Sequence, residues 1–337
     1  MSLVHRLIVA LAVAAASAAL AACGASGGGG SGNSSKLTLV AYSTPREAYG
    51  EIIPAFDKTA QGKGITFQQS YGASGDQSRA VQSGLPTDVV ALSLAPDVSK
   101  LVKSGLVSSN WDQDRYKGMV TDSVVVLAVR KGNPKHIRDW SDLVKPGVQV
   151  ITPNPFTSGG ARWNVMAAYG AQIKAGKTPA QALAYVKALF KNVPVQDKSA
   201  RESLQTFTAG KGDVLIAYEN EAITAQRKGE ELDYVIPERT ILIENPVAVT
   251  TNARNPTKAR EFVAYLRTPA AQRIFASKGY RPVDHSLVDQ AKFPTPKGLF
   301  TIDDLGGWPT VTDQFFDPQK GSVAKIEQSL GVSTAKQ

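Results

Sequence analysis

Apolar residues recur along this chain in two rhythms. Short runs rich in Val, Ile and Leu read as strands at Leu37–Tyr42, Ile65–Ser70, Asp88–Leu92, Val124–Val129, Val148–Thr152 and Val214–Tyr218. Between them the spacing is helical, from Pro45 to Asp57, Ser74 to Ser83, Ser158 to Lys174, Ala182 to Phe190 and Ser199 to Ala209. Val193–Val195 is expected as an edge strand, and Val247–Thr250 as a strand returning the chain through a hinge. Pro256–Leu266 and Pro269–Lys278 then read as two late helices on the first lobe, with a helix or tail on that lobe after Asp317. Strands alternating with helices pair in parallel through crossovers, which makes the class α/β. A body of about 300 residues exceeds one comfortable core, so two lobes are expected. Residues 37–122 with 248–337 would form lobe 1, and 123–247 lobe 2.

Four short polar turns each open onto a helix. Thr44–Glu47, Ser74–Gln77 and Ser199–Glu202 have the spacing of capping boxes, Ser or Thr followed three residues later by Glu or Gln. The fourth, Ser158-Gly159-Gly160, puts two glycines where a helix begins. A helix N-terminus carries unpaired N–H donors and about half a positive charge. Glycine lets a ligand approach those donors closely. Several such ends aimed at one point would hold an anion without a cation. Each turn follows a strand end, where open α/β sheets bind their ligands.

The N-terminus adds an address. His5-Arg6 precedes an apolar run, Leu7–Leu20, too short to span a bilayer and typical of a signal peptide over residues 1–22. Leu20-Ala21-Ala22 leads into Cys23, the only cysteine, in the pattern of a lipoprotein cleavage site. No disulfide is possible with one thiol. Residues 23–36 are expected as a flexible Gly/Ser tether reaching roughly 20 Å, which would leave an extracytoplasmic body anchored by lipid on Cys23 to the cell membrane.

Charge and rarer residues narrow the chemistry. A net charge of +9 fits nucleic acid, acidic lipid or a small anion. No dense basic run interleaved with aromatics occurs, so nucleic acid is not expected. Histidines occur only at 5, 136 and 285, which leaves little for a metal site, and neither metal nor cofactor is expected. A serine hydrolase built on Ser74 or Ser158 would need a histidine near either motif, and none is close in sequence. Arg46, Asp76, Arg162, Arg201 and Glu219 lie beside the turns and read as a surrounding frame rather than direct ligands. Trp163 and Trp308 read as core or interface aromatics.

The chain resembles the periplasmic sulfate-binding proteins of ATP-binding-cassette sulfate/thiosulfate importers from about Leu37 to Asp317. Arg130–Lys135, Lys145–Val148 with Ile151–Pro155, Ser158–Asn164, Asp213–Ala222 and Leu299–Asp303 with Gly306–Trp308 carry the likeness. It implies a two-lobed periplasmic-binding-protein fold, type II-like, each lobe a mixed, mainly parallel sheet flanked by helices, with the ligand cleft between. It implies a monomeric, non-enzymatic receptor that closes over dehydrated sulfate and serves a membrane permease. Carried over by position, the donors would be the N–H groups of Ser43, Ser74, Gly159, Gly160 and Ala200, with the hydroxyl of Ser158. Tyr218 stands where the family has a tryptophan; a phenol donates but also accepts, which opens thiosulfate, molybdate or phosphate as alternatives. At Asp76 relatives often have lysine or a neutral residue. A carboxylate there favours the helix dipole, or else tests the ligand for a proton.

Overall fold

The structure is a computed structural model that describes residues 36–332 and 334. The expected signal peptide, Cys23 and the tether up to residue 35 lie outside the described residues. β1 (Lys36–Tyr42) leads to α1 (Arg46–Asp57), β2 (Thr66–Gly72) to α2 (Ser74–Gln82), and β3 (Val89–Ala91) to α3 (Ala95–Lys103). β1 lies between β2 and β3, parallel to both, as the strand–helix alternation requires. The long β4 (Met119–Arg130) is followed by β5 (Val150–Ile151), α4 (Gly159–Lys174), α5 (Pro179–Lys191) and α6 (Ala200–Thr208). β6 (Val214–Tyr218), α7 (Glu219–Arg227) and β7 (Leu232–Val235) come next, then the long β8 (Arg239–Val249). α8 (Pro256–Leu266), α9 (Pro269–Ser277), β9 (Arg281–Pro282), β10 (Gly298–Phe300), α10 (Gly307–Phe316) and α11 (Ser322–Ser329) complete the chain.

The two long strands join the lobes. The sheet order is β2-β1-β3-β8-β4-β6-β5. The end of β8 pairs antiparallel with β3, its middle pairs antiparallel with the first half of β4, and the second half of β4 pairs with β6 and β7. Each long strand therefore serves both lobes. Sequence pattern marked only the apolar stretches, Val124–Val129 and Val247–Thr250. The polar residues Thr121, Asp122, Ser123, Glu244 and Asn245 also lie in the strands, because ladder hydrogen bonds need only backbone.

Separate cores fill the two lobes. Leu37, Leu39, Tyr49, Phe56, Phe262 and Phe275 pack beneath β1 and β3, with α8 and α9 on the first lobe. Val125, Leu127, Trp163, Met166, Val186 and Phe190 pack around β4, α4 and α5. The last helix differs from expectation, whereas α10 lies against both α3 of the first lobe and α4. Trp308 meets Trp163 edge-on at 4.7 Å and Phe315 meets Tyr169 at 4.8 Å, which seats α10 on α4. α11 packs against α5, not on the first lobe, because its Val323, Ala324 and Ile326 continue the second-lobe core. Val193–Val195 forms no strand; Val193 N–H donates to Phe190 O and Pro194 has no N–H, so the segment ends α5.

Phe262 is fully buried, with ring centroids of Phe67 and Phe56 at 4.7 and 5.3 Å. Phe262→Ala should cost about 3–5 kcal/mol in chemical denaturation. A loss below about 1 kcal/mol would contradict this account of the first-lobe core.

Candidate functional site

The turn before α4 shapes the site. Asn154 Oδ1 accepts Phe156 N–H at 2.7 Å, and Asn154 O accepts Ser158 N–H at 2.9 Å. Ser158 thereby becomes the N-cap of α4, with its hydroxyl accepting Ala161 N–H at 3.3 Å. Gly159 and Gly160 form the first turn, whose N–H groups have no acceptor within the helix. A Cβ on Gly160 would stand 3.4 Å from Ser158 Oγ, 3.5 Å from Ala200 Cβ and 3.6 Å from Tyr218 Cε1. The starts of α4 and α6 and the end of β6 thus meet at one point. A Cβ on Gly159 would overlap Leu94 Cδ2 and come within 2.9 Å of Ser93 Oγ. Only glycine lets α4 press on the β3–α3 turn.

The two turns of the first lobe touch the helix starts that meet there. Gly75 N–H donates to Thr157 O at 3.1 Å, so the start of α2 touches the start of α4. Ser43 is buried beside Thr44, whose carbonyl accepts Arg201 Nη2 at 3.3 Å, so the start of α1 touches α6. Of the three expected capping boxes only Ser199–Glu202 forms. Ser74 is the first helical residue rather than the cap, because its hydroxyl donates to Asp97 Oδ2 at 2.7 Å and accepts Ser93 N–H at 3.0 Å. Glu47 leaves its own helix end for cations of the other lobe, and Thr44 Oγ1 bonds Tyr280 OH at 3.0 Å.

Charged groups around the turns are engaged with one another. Arg201 grips Glu47 through two bonds, 2.8 and 2.6 Å, and Lys228 also pairs with Glu47. Burial would raise the Glu47 carboxyl, but Arg201 and Lys228 outweigh it and hold it at about 2. Buried Arg162 donates its Nε–H to Pro155 O at 2.9 Å and lies over the Phe316 ring at 5.0 Å. Burial pushes the Asp97 carboxyl up, yet Lys100 and Arg162 more than offset this and keep it below its ordinary value. Glu219 is turned away: it pairs bidentately with Arg281 at 2.7 and 3.1 Å and fastens α7 to β9. Arg46 is exposed over Tyr71, and the partly exposed Asp76 pairs with Arg79, so neither joins the cluster.

Sequence reasoning missed the groups that cross-brace the site. Ser93 Oγ lies 2.8 Å from Tyr218 OH, while Ser93 O accepts Trp163 Nε1–H at 2.8 Å and Asn245 Nδ2–H at 2.9 Å. Tyr42 OH donates to Asn245 Oδ1 at 2.9 Å. The signal that could have found Ser93 and Asp97 is Ala95-Pro96-Asp97, a helix start with proline in its first turn and an acid beside it. Glu221, behind Tyr218, is pushed up to about 7 by burial, against the opposing pull of Arg201. Among the described residues no group of three or more His, Cys, Asp or Glu could hold a metal ion, and His285 bonds Asp122 at 3.0 Å.

The Glu47 pairs generate a pH prediction. Because its folded-state pKa lies below the ordinary 4.5, Glu47 stabilises fully above that value and loses its effect as pH falls towards about 2. Wild type should melt above Glu47→Gln at neutral pH, and the gap should close between pH 4.5 and about 2. A gap constant across that window would contradict the pairing.

Known proteins share both the sequence and the fold. The family described as bacterial extracellular solute-binding protein matches residues 37–281. The sulfate-binding protein of Synechococcus elongatus is 46% identical, over 88% of this chain and 87% of its own. The thiosulfate-binding protein of Pseudomonas aeruginosa is 36% identical, over 82% of this chain and 88% of its own. Among solved structures, the sulfate-binding protein SubI from Mycobacterium tuberculosis H37Rv superposes with a TM-score of 0.82 at 44% identity, covering 84% of this chain and all of that one. With a family match over most of its length and relatives of this identity, the chain belongs to the bacterial extracellular solute-binding proteins.

Proposed function

We propose that this chain is an extracytoplasmic receptor that binds sulfate between its lobes and delivers it to the permease of an ATP-binding-cassette importer. The observation that carries the reading is the position of Gly160, where a Cβ would touch Ser158, Ala200 and Tyr218 together. The relatives named for sulfate binding support it. The donors in this reading are the N–H groups of Ser43, Ser74, Gly159, Gly160 and Ala200, and the hydroxyls of Ser158 and Tyr218. Sulfate at neutral pH has no proton to give, so a shell of donors suits it. A buried dianion without a counter-charge is costly unless its oxygens are hydrogen-bonded. Charge-assisted bonds contribute about 1.5–3 kcal/mol each, so about seven sustain tight binding after closure costs.

Arg201 stiffens the turns in this reading rather than contacting the ligand, because Glu47 already engages it, while Arg162 holds Pro155 O through its Nε and keeps a buried Nη1 without a partner. The contacts Gly75–Thr157 and Glu47–Arg201 span the lobes and accompany closure, which sulfate favours by satisfying donors of both lobes at once. We divide the lobes as the sequence suggests, at residues 122/123 and 247/248, with α11 riding on the second lobe and α10 lying against both. The lipid anchor on Cys23 and a monomeric state belong to the same proposal. Hydrolase chemistry has no support at Ser74, whose hydroxyl is bonded to Asp97 and Ser93 N–H with no imidazole among its partners. Thiosulfate is the second reading, favoured by the relative named for it, and its oxygens would use the same donors.

Calorimetric titration with sulfate tests the site. Gly160→Val should weaken binding by about a hundredfold or more, because its side chain would fill the anion's place, while Ser158→Ala should cost about tenfold, one hydrogen bond. Melting temperatures should stay near wild type in both variants. Equal, modest losses would remove the glycine turn from the site.

A further inference from the structure

Ser93 sits where the two lobes touch behind the proposed ligand position, and its surroundings are unusually fixed. Its carbonyl accepts hydrogen bonds from Trp163 Nε1 and Asn245 Nδ2, at 2.8 and 2.9 Å, and its N–H donates to Ser74 Oγ at 3.0 Å. The backbone is thus held by α4, β8 and α2 at once. The hydroxyl has Tyr218 OH as its hydrogen-bond partner at 2.8 Å, either atom being able to donate. Both residues are 1% exposed, so water does not compete for this bond. The Oγ also stands against the first turn of α4, 2.9 Å from where a Gly159 Cβ would be.

We infer that Ser93 is a positioning residue that sets anion specificity, by directing the Tyr218 proton towards the ligand. The inference rests on the sulfate site proposed above. Two hydroxyls in contact have two arrangements. When Ser93 donates to the phenol oxygen, the phenol proton is free to point at the anion. When Tyr218 donates to Ser93, the phenol shows the ligand only a lone pair. The positive end of α4 favours the first arrangement, because it attracts the Ser93 oxygen and turns its proton away, towards Tyr218. Burial raises the Tyr218 phenol well above its ordinary value, so it keeps its proton and remains a donor. Asn245 braces the same pair: its Nδ2 donates one N–H to the Ser93 carbonyl and also lies against the phenol oxygen as a donor.

This arrangement separates ligands of equal charge. Sulfate accepts at every oxygen. Hydrogen phosphate in mildly alkaline buffer is also a dianion, but one oxygen carries a proton and needs an acceptor. Only the reversed pair supplies that acceptor at Tyr218. Removing the Ser93 hydroxyl lets the phenol O–H rotate freely, to donate or to accept.

The test is calorimetric titration of sulfate and of phosphate, in mildly alkaline chloride buffer, into wild type, Ser93→Ala, Tyr218→Phe and the double variant. Ser93→Ala should weaken sulfate by about tenfold and leave phosphate unchanged or tighter, so the sulfate-to-phosphate ratio falls by about that factor. In the Tyr218→Phe background the same change should leave the ratio as it is, because no phenol proton remains to be directed. Equal weakening of both anions by Ser93→Ala, at an unchanged melting temperature, would make Ser93 merely structural and overturn the inference. So would a fall in the ratio that persists without the phenol. Wild type failing to bind either anion would overturn the site reading, and this inference with it.

Discussion

One antiparallel strand pair governs everything at the site. β4 and β8 run side by side with Thr121 opposite Asn245 and Asp122 opposite Glu244, and each continues into sheet of both lobes. Because β-pairing is discrete, a one-residue slip would turn Asn245 to the other face. Its side chain accepts Tyr42 OH and Thr121 Oγ1 on one atom and donates to Ser93 O from the other. The strand pair that joins the lobes is therefore hydrogen-bonded directly to the β3–α3 turn that α4 touches. Position is transmitted this way: Ser93, after β3, is fixed to β8 through Asn245, and Tyr218, at the end of β6, is fixed by its pairing with β4.

Neutral groups line the meeting point, and the charges have been drawn off around it. Glu47 takes Arg201 and Lys228, Asp97 sits with Lys100 and Arg162, and Glu219 takes Arg281. Such pairs are worth little on an exposed surface, but here they are partly or wholly buried and tie together elements that carry donors. The result is a frame of paired charges around helix ends whose own partial charge faces inwards. A dianion placed there meets preoriented dipoles, and binding need not break any of these ion pairs.

Local signals were legible and long-range ones were not. The Ser158-Gly159-Gly160 turn and the strand ends before it stand out because glycine and capping residues act on their immediate neighbours. The capping spacing misled at Ser74 and Glu47, since tertiary partners outbid the local cap: Asp97 for the serine, Arg201 for the glutamate. Those partners lie 23 and 154 residues away, and no periodicity encodes them. Ser93 and Tyr218, 125 residues apart, met only in three dimensions. α3 went unread because its start is short and follows a three-residue strand, although Pro96 and Asp97 mark it. The last helix was assigned to a lobe by chain order, whereas burial of its Val323, Ala324 and Ile326 in the second-lobe core decides where it sits.

A crystal structure of the protein grown with sulfate tests the central claim most directly. The account predicts one dehydrated sulfate between the lobes, within hydrogen-bond distance of the N–H groups of Gly159, Gly160 and Ala200 and of the Tyr218 hydroxyl, with Glu47 still holding Arg201. Sulfate held instead by the guanidinium of Arg201 or Arg162, or found outside the cleft, would contradict it.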